Sequence, residues 1–123
     1  ESCHPFHPQA LRAAAGHSFD IQYFQSARPL NALLSEAKAE TEAEHSLPPS
    51  PLYCLDLAGS PLESSTLPKD MILVVGQEGK GIPRNFPGHK LQIRTQQIDS
   101  LNAGVSLSLA LYEYRRQHRL EGE

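Results

Sequence analysis

Two segments hold residues whose types and spacing could do chemistry. The first is VVGQEGKGIP, residues 74–83, in which Gly76, Gly79 and Gly81 follow directly on an apolar run. Glycines at the carboxyl end of a buried parallel strand let a ligand lie against the backbone, because no Cβ stands in the way. Glu78 and Lys80 bring a carboxylate and a cation into the same loop. The spacing matches neither G-x-x-x-x-G-K-[ST] nor G-x-G-x-x-G, so it does not indicate a phosphate-cradling loop. The same glycines also fit an ordinary tight turn between a strand and a helix. The second segment is QIRTQQIDSLNAGVSLSLALYEYRRQ, residues 92–117. It reads as a strand end, a polar loop and a long helix. Ser100 or Asp99 stands where a helix cap belongs. The free N–H groups of the first turn would face whatever occupies the loop. Here too the plainer reading is a capped helix and nothing more.

These segments need a scaffold, and hydrophobic patterning supplies one. Residues 52–57 (LYCLDL) and 90–93 read as short strands. Residues 71–75 (MILVV) form a continuous apolar run, the pattern of a strand buried on both faces. Residues 20–24 (DIQYF) have strand composition. Residues 9–15 (QALRAAA) predict a short helix stopped by Gly16. Pro29 opens a second helix reaching about residue 43, with Leu30, Leu33, Leu34 and Ala37 at helical spacing. Residues 40–50 are acidic and then proline-rich, an exposed connection, and residues 58–70 read as a loop. The last helix runs from Asn102 to about Gln117. Its apolar residues cover much of its circumference, so it is buried or pairs with another subunit. Strands alternating with helices give an α/β fold with a mainly parallel sheet.

Composition narrows the function. The chain has 123 residues, enough for one domain with a real core. Its net charge of −3 is not that of a protein held to nucleic acid by bulk charge, so any such contact must be local. Cys3 and Cys54 lie far apart, which suggests reduced thiols in a cytoplasmic compartment. No apolar run is long enough for a membrane helix, and the polar, proline-rich start does not read as a signal peptide. Cys3, His4 and His7 lack a partner cluster and read as a solvated loop, with no metal site expected. Arg115, Arg116 and Arg119 complement a helix C-terminus. The acidic stretch over residues 36–44 reads as a solvated helix face. Lys80 and Arg84 flank the glycine loop and are the better candidates for touching a nucleic-acid phosphate.

Taken together, the two segments resemble the SpoU/TrmH-type SPOUT methyltransferases. The resemblance rests on a strand followed by G-x-E-G-x-G (Gly76 to Gly81), then a strand, then S-L-N (Ser100 to Asn102) opening a long helix. HPFHPQALRAAAGHSFDIQYF also looks like the segment after the family's first motif, so the likeness spans nearly the whole chain. It implies a single SPOUT domain over residues 1–123, a trefoil knot near the C-terminus and a homodimer through the last helix. It implies S-adenosylmethionine as cofactor and an RNA 2′-O-ribose methyltransferase acting on tRNA or rRNA. The cofactor would be held by Leu55, at a strand end (residues 55–57) that borders it, and by Gly76, Glu78, Gly79, Ile93 and Leu101. Backbone hydrogen bonds to adenine and apolar packing around it explain why small and apolar residues line such a site. Glu78, Ser100 and Asn102 would face the reaction centre.

The sequence departs from the family at several points. Arg94 stands where proline is usual, Gly104 where serine is common, and Ala15 replaces the serine of R-A-S-x-G. The first motif, N-x-G-x-x-x-R, would precede residue 1. The resemblance implies that its arginine assists the ribose hydroxyl, a weak nucleophile that needs such help. The expectation is therefore a fragment of a longer enzyme. The alternative is a catalytically degenerate cofactor-binding or RNA-associated module of the same fold.

Overall fold

Three stretches read from sequence as strands supply one parallel sheet. In the computed structural model, which describes residues 4–28, 32, 50–76, 80–96 and 101–118, β1 is Leu52–Pro61, β2 Ile72–Val74 and β3 His89–Gln92. Their order is β2-β1-β3, and β1 pairs parallel with both neighbours. The long helix, here α2, spans Ala103–Gln117. The α/β class and parallel sheet are those the patterning predicts. The chain divides into two compact units, Glu1–Leu47 and Pro48–Glu123.

In the second unit, β1 runs further than its apolar run suggests. Residues 58–61, read from sequence as loop, stay extended, and a 3-10 turn, Leu62–Ser64, follows. The ladder with β3 is irregular there: both Leu55 and Ser60 register with Leu91. Residues 56–59 therefore leave β3 and return to the same point. The return is tight at Gly59, where a Cβ would lie 2.6 Å from the Leu91 and Lys90 carbonyl carbons.

Leu62, Leu67, Leu91 and Ala110 form a buried cluster, with Leu55, Leu73, Ile93 and Tyr114 packed against it. Burying each such side chain contributes roughly 1.5–3 kcal/mol. The end of α2 is fastened to the segment before β2 by side chains. Gln117 Oε1 accepts from the Leu67 N–H at 2.9 Å, and its Nε2 donates to the Ser65 carbonyl at 2.9 Å. The Tyr114 hydroxyl donates to the Lys69 carbonyl, and His118 Nε2 to that of Leu67. Arg116 and Gln117 both donate to Glu113 and hold its carboxyl down at about 2. Arg116 thus serves the helix end, as the sequence suggests, while Arg119 lies outside the described residues. Ala110 is the buried residue of α2; Val105, Leu109, Leu111 and Tyr112 remain exposed. Cys54 is fully buried and unbridged, and burial pushes its thiol up to about 11, with the Asp56 carboxylate adding to the effect.

In the first unit, α1 is Pro8–Ala13. It ends two residues before the expected stop, because Ala15 and then Gly16 adopt positive φ (49° and 86°) and turn the chain. The strand expected at residues 20–24 is not formed. His17–Asp20 is a 3-10 turn, closed by the His17 Nδ1 to Asp20 Oδ2 contact at 2.8 Å, and residues 22–27 are irregular. The β-forming composition of Ile21, Tyr23 and Phe24 finds no partner strand among the described residues, so propensity alone does not extend it into a sheet. His4 Nδ1 and His7 Nδ1 accept from the backbone N–H groups of Phe6 and Gln9, so both imidazoles serve local turns. The helix expected from Pro29 to residue 43, the acidic stretch over 36–44, most of the 40–50 connection and Cys3 lie outside the described residues. No described helix is long and apolar enough to cross a membrane.

Candidate functional site

The site is built where parallel strands end. In an open parallel sheet, ligands sit beyond the carboxyl ends of the strands, where the loops diverge and the backbone is accessible. Here a cavity of about 670 Å³ occupies that position in the second unit. Leu55, Asp56 and Leu57 line it from β1, Val75 and Gly76 from the end of β2, and Leu91, Ile93 and Thr95 from β3 and its exit. Lys80, Gly81 and Ile82 close it from the glycine loop, and Leu101, Asn102, Ala103 and Ser106 from the start of α2. The size falls within the range of small-molecule sites, and the lining mixes apolar walls with a few polar groups.

The cavity brings together Leu55, Gly76, Ile93 and Leu101, the described residues expected to hold a cofactor, and adds Lys80 and Asn102. Arg84 is exposed and does not line it. Glu78, Gly79 and Ser100 lie outside the described residues. Asp56, Thr95 and Ser106 are lining residues that the sequence did not single out for themselves. For Asp56 the signals were its place in the strand end 55–57 expected to border the cofactor and its acidic side chain inside an otherwise apolar strand.

Gly76 owes its identity to close packing. A Cβ there would sit 2.6 Å from the Gly81 carbonyl carbon and 2.8 Å from its oxygen. The two ends of the glycine loop thus touch backbone to backbone. Gly81 adopts φ 63°, the left-handed region that favours glycine, and so lets the loop close.

The start of α2 corrects the expected cap. Neither Ser100 nor Asp99 is the N-cap: the helix begins at Ala103, and Asn102 Oδ1 accepts from the Gly104 N–H at 2.8 Å. The cap position belongs to Asn102, and Asp99 and Ser100 themselves lie outside the described residues. Asn102 therefore lines the cavity while capping the helix. Gly104 also has its carbonyl engaged, by the Ser108 hydroxyl. Arg94, standing where proline is usual, is exposed and pairs with Glu63 at 3.5 Å.

The Asp56 carboxylate is held on both oxygens. Oδ1 accepts from the Ala58 N–H at 2.9 Å and Oδ2 from Lys90 Nζ at 2.9 Å. These contacts, the Ala58 N–H foremost, keep its carboxyl below the usual carboxylate range. Asp56 is thus ionised at neutral pH and fixed in orientation.

Comparison with known proteins accords with this geometry. A profile of the SpoU rRNA Methylase family matches residues 1–112. A ribosomal RNA small subunit methyltransferase G 2 from Syntrophobacter fumaroxidans is 32% identical over 117 residues, which is 94% of this chain and 21% of that protein. A TrmH-family protein from Porphyromonas gingivalis superposes with a TM-score of 0.72 at 24% identity, covering 95% of this chain and 46% of the other. The SpoU methyltransferase AviRb from Streptomyces viridochromogenes, solved with AdoMet, gives 0.68 at 21% identity, covering 99% and 46%. An AdoMet-bound rRNA methyltransferase from Sinorhizobium meliloti gives 0.66 at 23% identity, covering 98% and 44%. The chain spans about a fifth of that curated relative and less than half of these solved ones.

Proposed function

The chain belongs to the SpoU rRNA methylase family, and from that membership we propose that it forms the cofactor-binding part of an S-adenosylmethionine-dependent RNA 2′-O-ribose methyltransferase acting on tRNA or rRNA. The observation that carries the reading is the cavity at the strand ends. Leu55, Gly76, Ile93 and Leu101 converge there from four separate segments of the chain. The residues fit the cofactor: Leu55, Ile93 and Leu101 offer apolar surface to an adenine, and Gly76 exposes backbone beside it. When bound, S-adenosylmethionine supplies an electrophilic methyl group on its sulfonium. Glu78, Gly79 and Ser100 belong to the same proposed site, Glu78 and Ser100 with Asn102 at its reactive side. Lys80 and Arg84 are proposed to meet RNA phosphate as point charges, in a salt-dependent way. The reading carries with it one SPOUT domain with its trefoil knot, and a cytoplasmic location.

The test is methyl transfer by the whole protein to tRNA and rRNA from S-adenosylmethionine labelled in the methyl group. A ribose 2′-O-methyl group blocks alkaline cleavage of the next phosphodiester, so the label is expected in alkali-resistant dinucleotides. Label recovered in base-modified mononucleotides would sink the 2′-O assignment. One observation favours the alternative, a binding module of the same fold: Asn102 Oδ1 is committed to capping α2. Cofactor binding without transfer to any RNA would support that module.

The reading also includes a homodimer through α2. Val105, Leu109, Leu111 and Tyr112 leave an apolar surface on the helix, Tyr112 being 69% exposed, and burying such a surface drives association. Light scattering is expected to give twice the chain mass; a stable monomer at high concentration would remove the dimer from the proposal.

A further inference from the structure

We propose that the Asp56 carboxylate reads the ribose diol of the nucleoside held in the cavity. This rests on the cavity being the cofactor site. Among the described residues that line it, Asp56 is the one carboxylate, and it stands where the central strand β1 leaves its ladder with β3. The local structure is built to present it. Residues 56–59 leave the ladder with β3, the Ala58 N–H closes a turn onto Oδ1, and Gly59 seats the returning chain against β3. Each carboxylate oxygen accepts one protein hydrogen bond and keeps a further acceptor position. A vicinal diol presents two O–H donors side by side, the arrangement that two fixed carboxylate oxygens accept.

Lys90 decides between the two kinds of cofactor group a carboxylate could serve, a cation or a diol. With the ammonium at 2.9 Å, the Asp56 charge is already compensated, so a sulfonium or ammonium gains little from it. Hydrogen-bond acceptance survives that pairing. Donors to a charged acceptor are the stronger kind, and a site built for a hydroxyl rejects the analogue that lacks it.

The experiment is calorimetric titration of the protein and of Asp56→Asn with S-adenosylhomocysteine and its 2′-deoxy and 3′-deoxy analogues. Each lost hydroxyl is expected to weaken binding to the parent protein by about tenfold or more. Asp56→Asn, with circular dichroism matching the parent, is expected to bind the full ligand about tenfold more weakly and to lose most of the discrimination. Equal binding of all three ligands by the parent overturns the inference alone, whether or not the variant folds. Full discrimination retained by a folded Asp56→Asn assigns the diol to another group and also overturns it. No binding of S-adenosylhomocysteine to a folded parent overturns the cofactor reading itself, and this inference with it.

Discussion

Gly76→Val is expected to abolish S-adenosylmethionine binding, while Lys80→Ala leaves the affinity within about twofold. Both residues line the cavity, yet they contribute in different ways. At Gly76 the first added carbon would already lie within 3 Å of three backbone atoms of Gly81. Backbone cannot swing aside like the end of a side chain, so the loop must open and the cavity wall moves with it. The two further carbons of valine add to the displacement. Gly76→Ala is therefore expected to weaken binding as well, by more than about tenfold, since the clash begins at Cβ. Lys80 is exposed, and its removal leaves the wall standing. Titration with the cofactor checks both, with circular dichroism to show that each variant is folded. Parent-like binding by folded Gly76→Val would mean that this loop does not border the cofactor.

Leu67→Ala is expected to lower the unfolding free energy by about 2–5 kcal/mol. Leu67 is 1% exposed and packs with Leu62, Leu91 and Ala110 between the sheet and α2. Its backbone is tied at both ends: its N–H donates to Gln117 and its carbonyl accepts from His118. Those bonds survive the substitution and hold the segment where it is, so the space left by the side chain cannot close easily. Little relaxation puts the cost towards the upper end of the range. Leu57→Ala, at a position 58% exposed, is expected to change stability by less than about 0.5 kcal/mol. Urea unfolding followed by circular dichroism compares the two. Equal midpoints would show that residue 67 does not seal the core.

The parts of the fold legible in the sequence are those with a one-dimensional signal. The stretches at 52–57, 71–75 and 90–93 each overlap a strand, and at 71–75 the signal is a continuous apolar run. The helix from Asn102 to Gln117 was legible to within one residue, though its cap is Asn102 and not the Ser100 or Asp99 expected. The strand expected at 20–24 failed because composition states a preference and a partner must satisfy it. The extension of β1 to Pro61 was hidden by Gly59 and Pro61, turn-forming residues that here close an irregular ladder. At the site, the motifs pointed to Gly76, Ile93 and Leu101 without showing that they meet. The reason for Gly76 was also hidden: its neighbour across the loop, five residues on, is a distance that spacing does not encode. Asp56 was obscured because its partner Lys90, far along the chain, becomes a neighbour only through the pairing of β1 and β3.

That irregular pairing also bears on how the fold tolerates insertions and deletions. Leu55 and Ser60 share one partner, Leu91, so the ladder is closed on either side of residues 56–59. Adding or removing a residue within that bight changes its contour without shifting the register of either strand, and so without turning any core side chain to the wrong face. Its far end is the exception, because Gly59 has backbone where a side chain would go. Length can vary across 56–58, then, while a glycine must stay where the chain rejoins β3. The rim of the cavity can thus be remodelled while the sheet beneath it keeps its pairing.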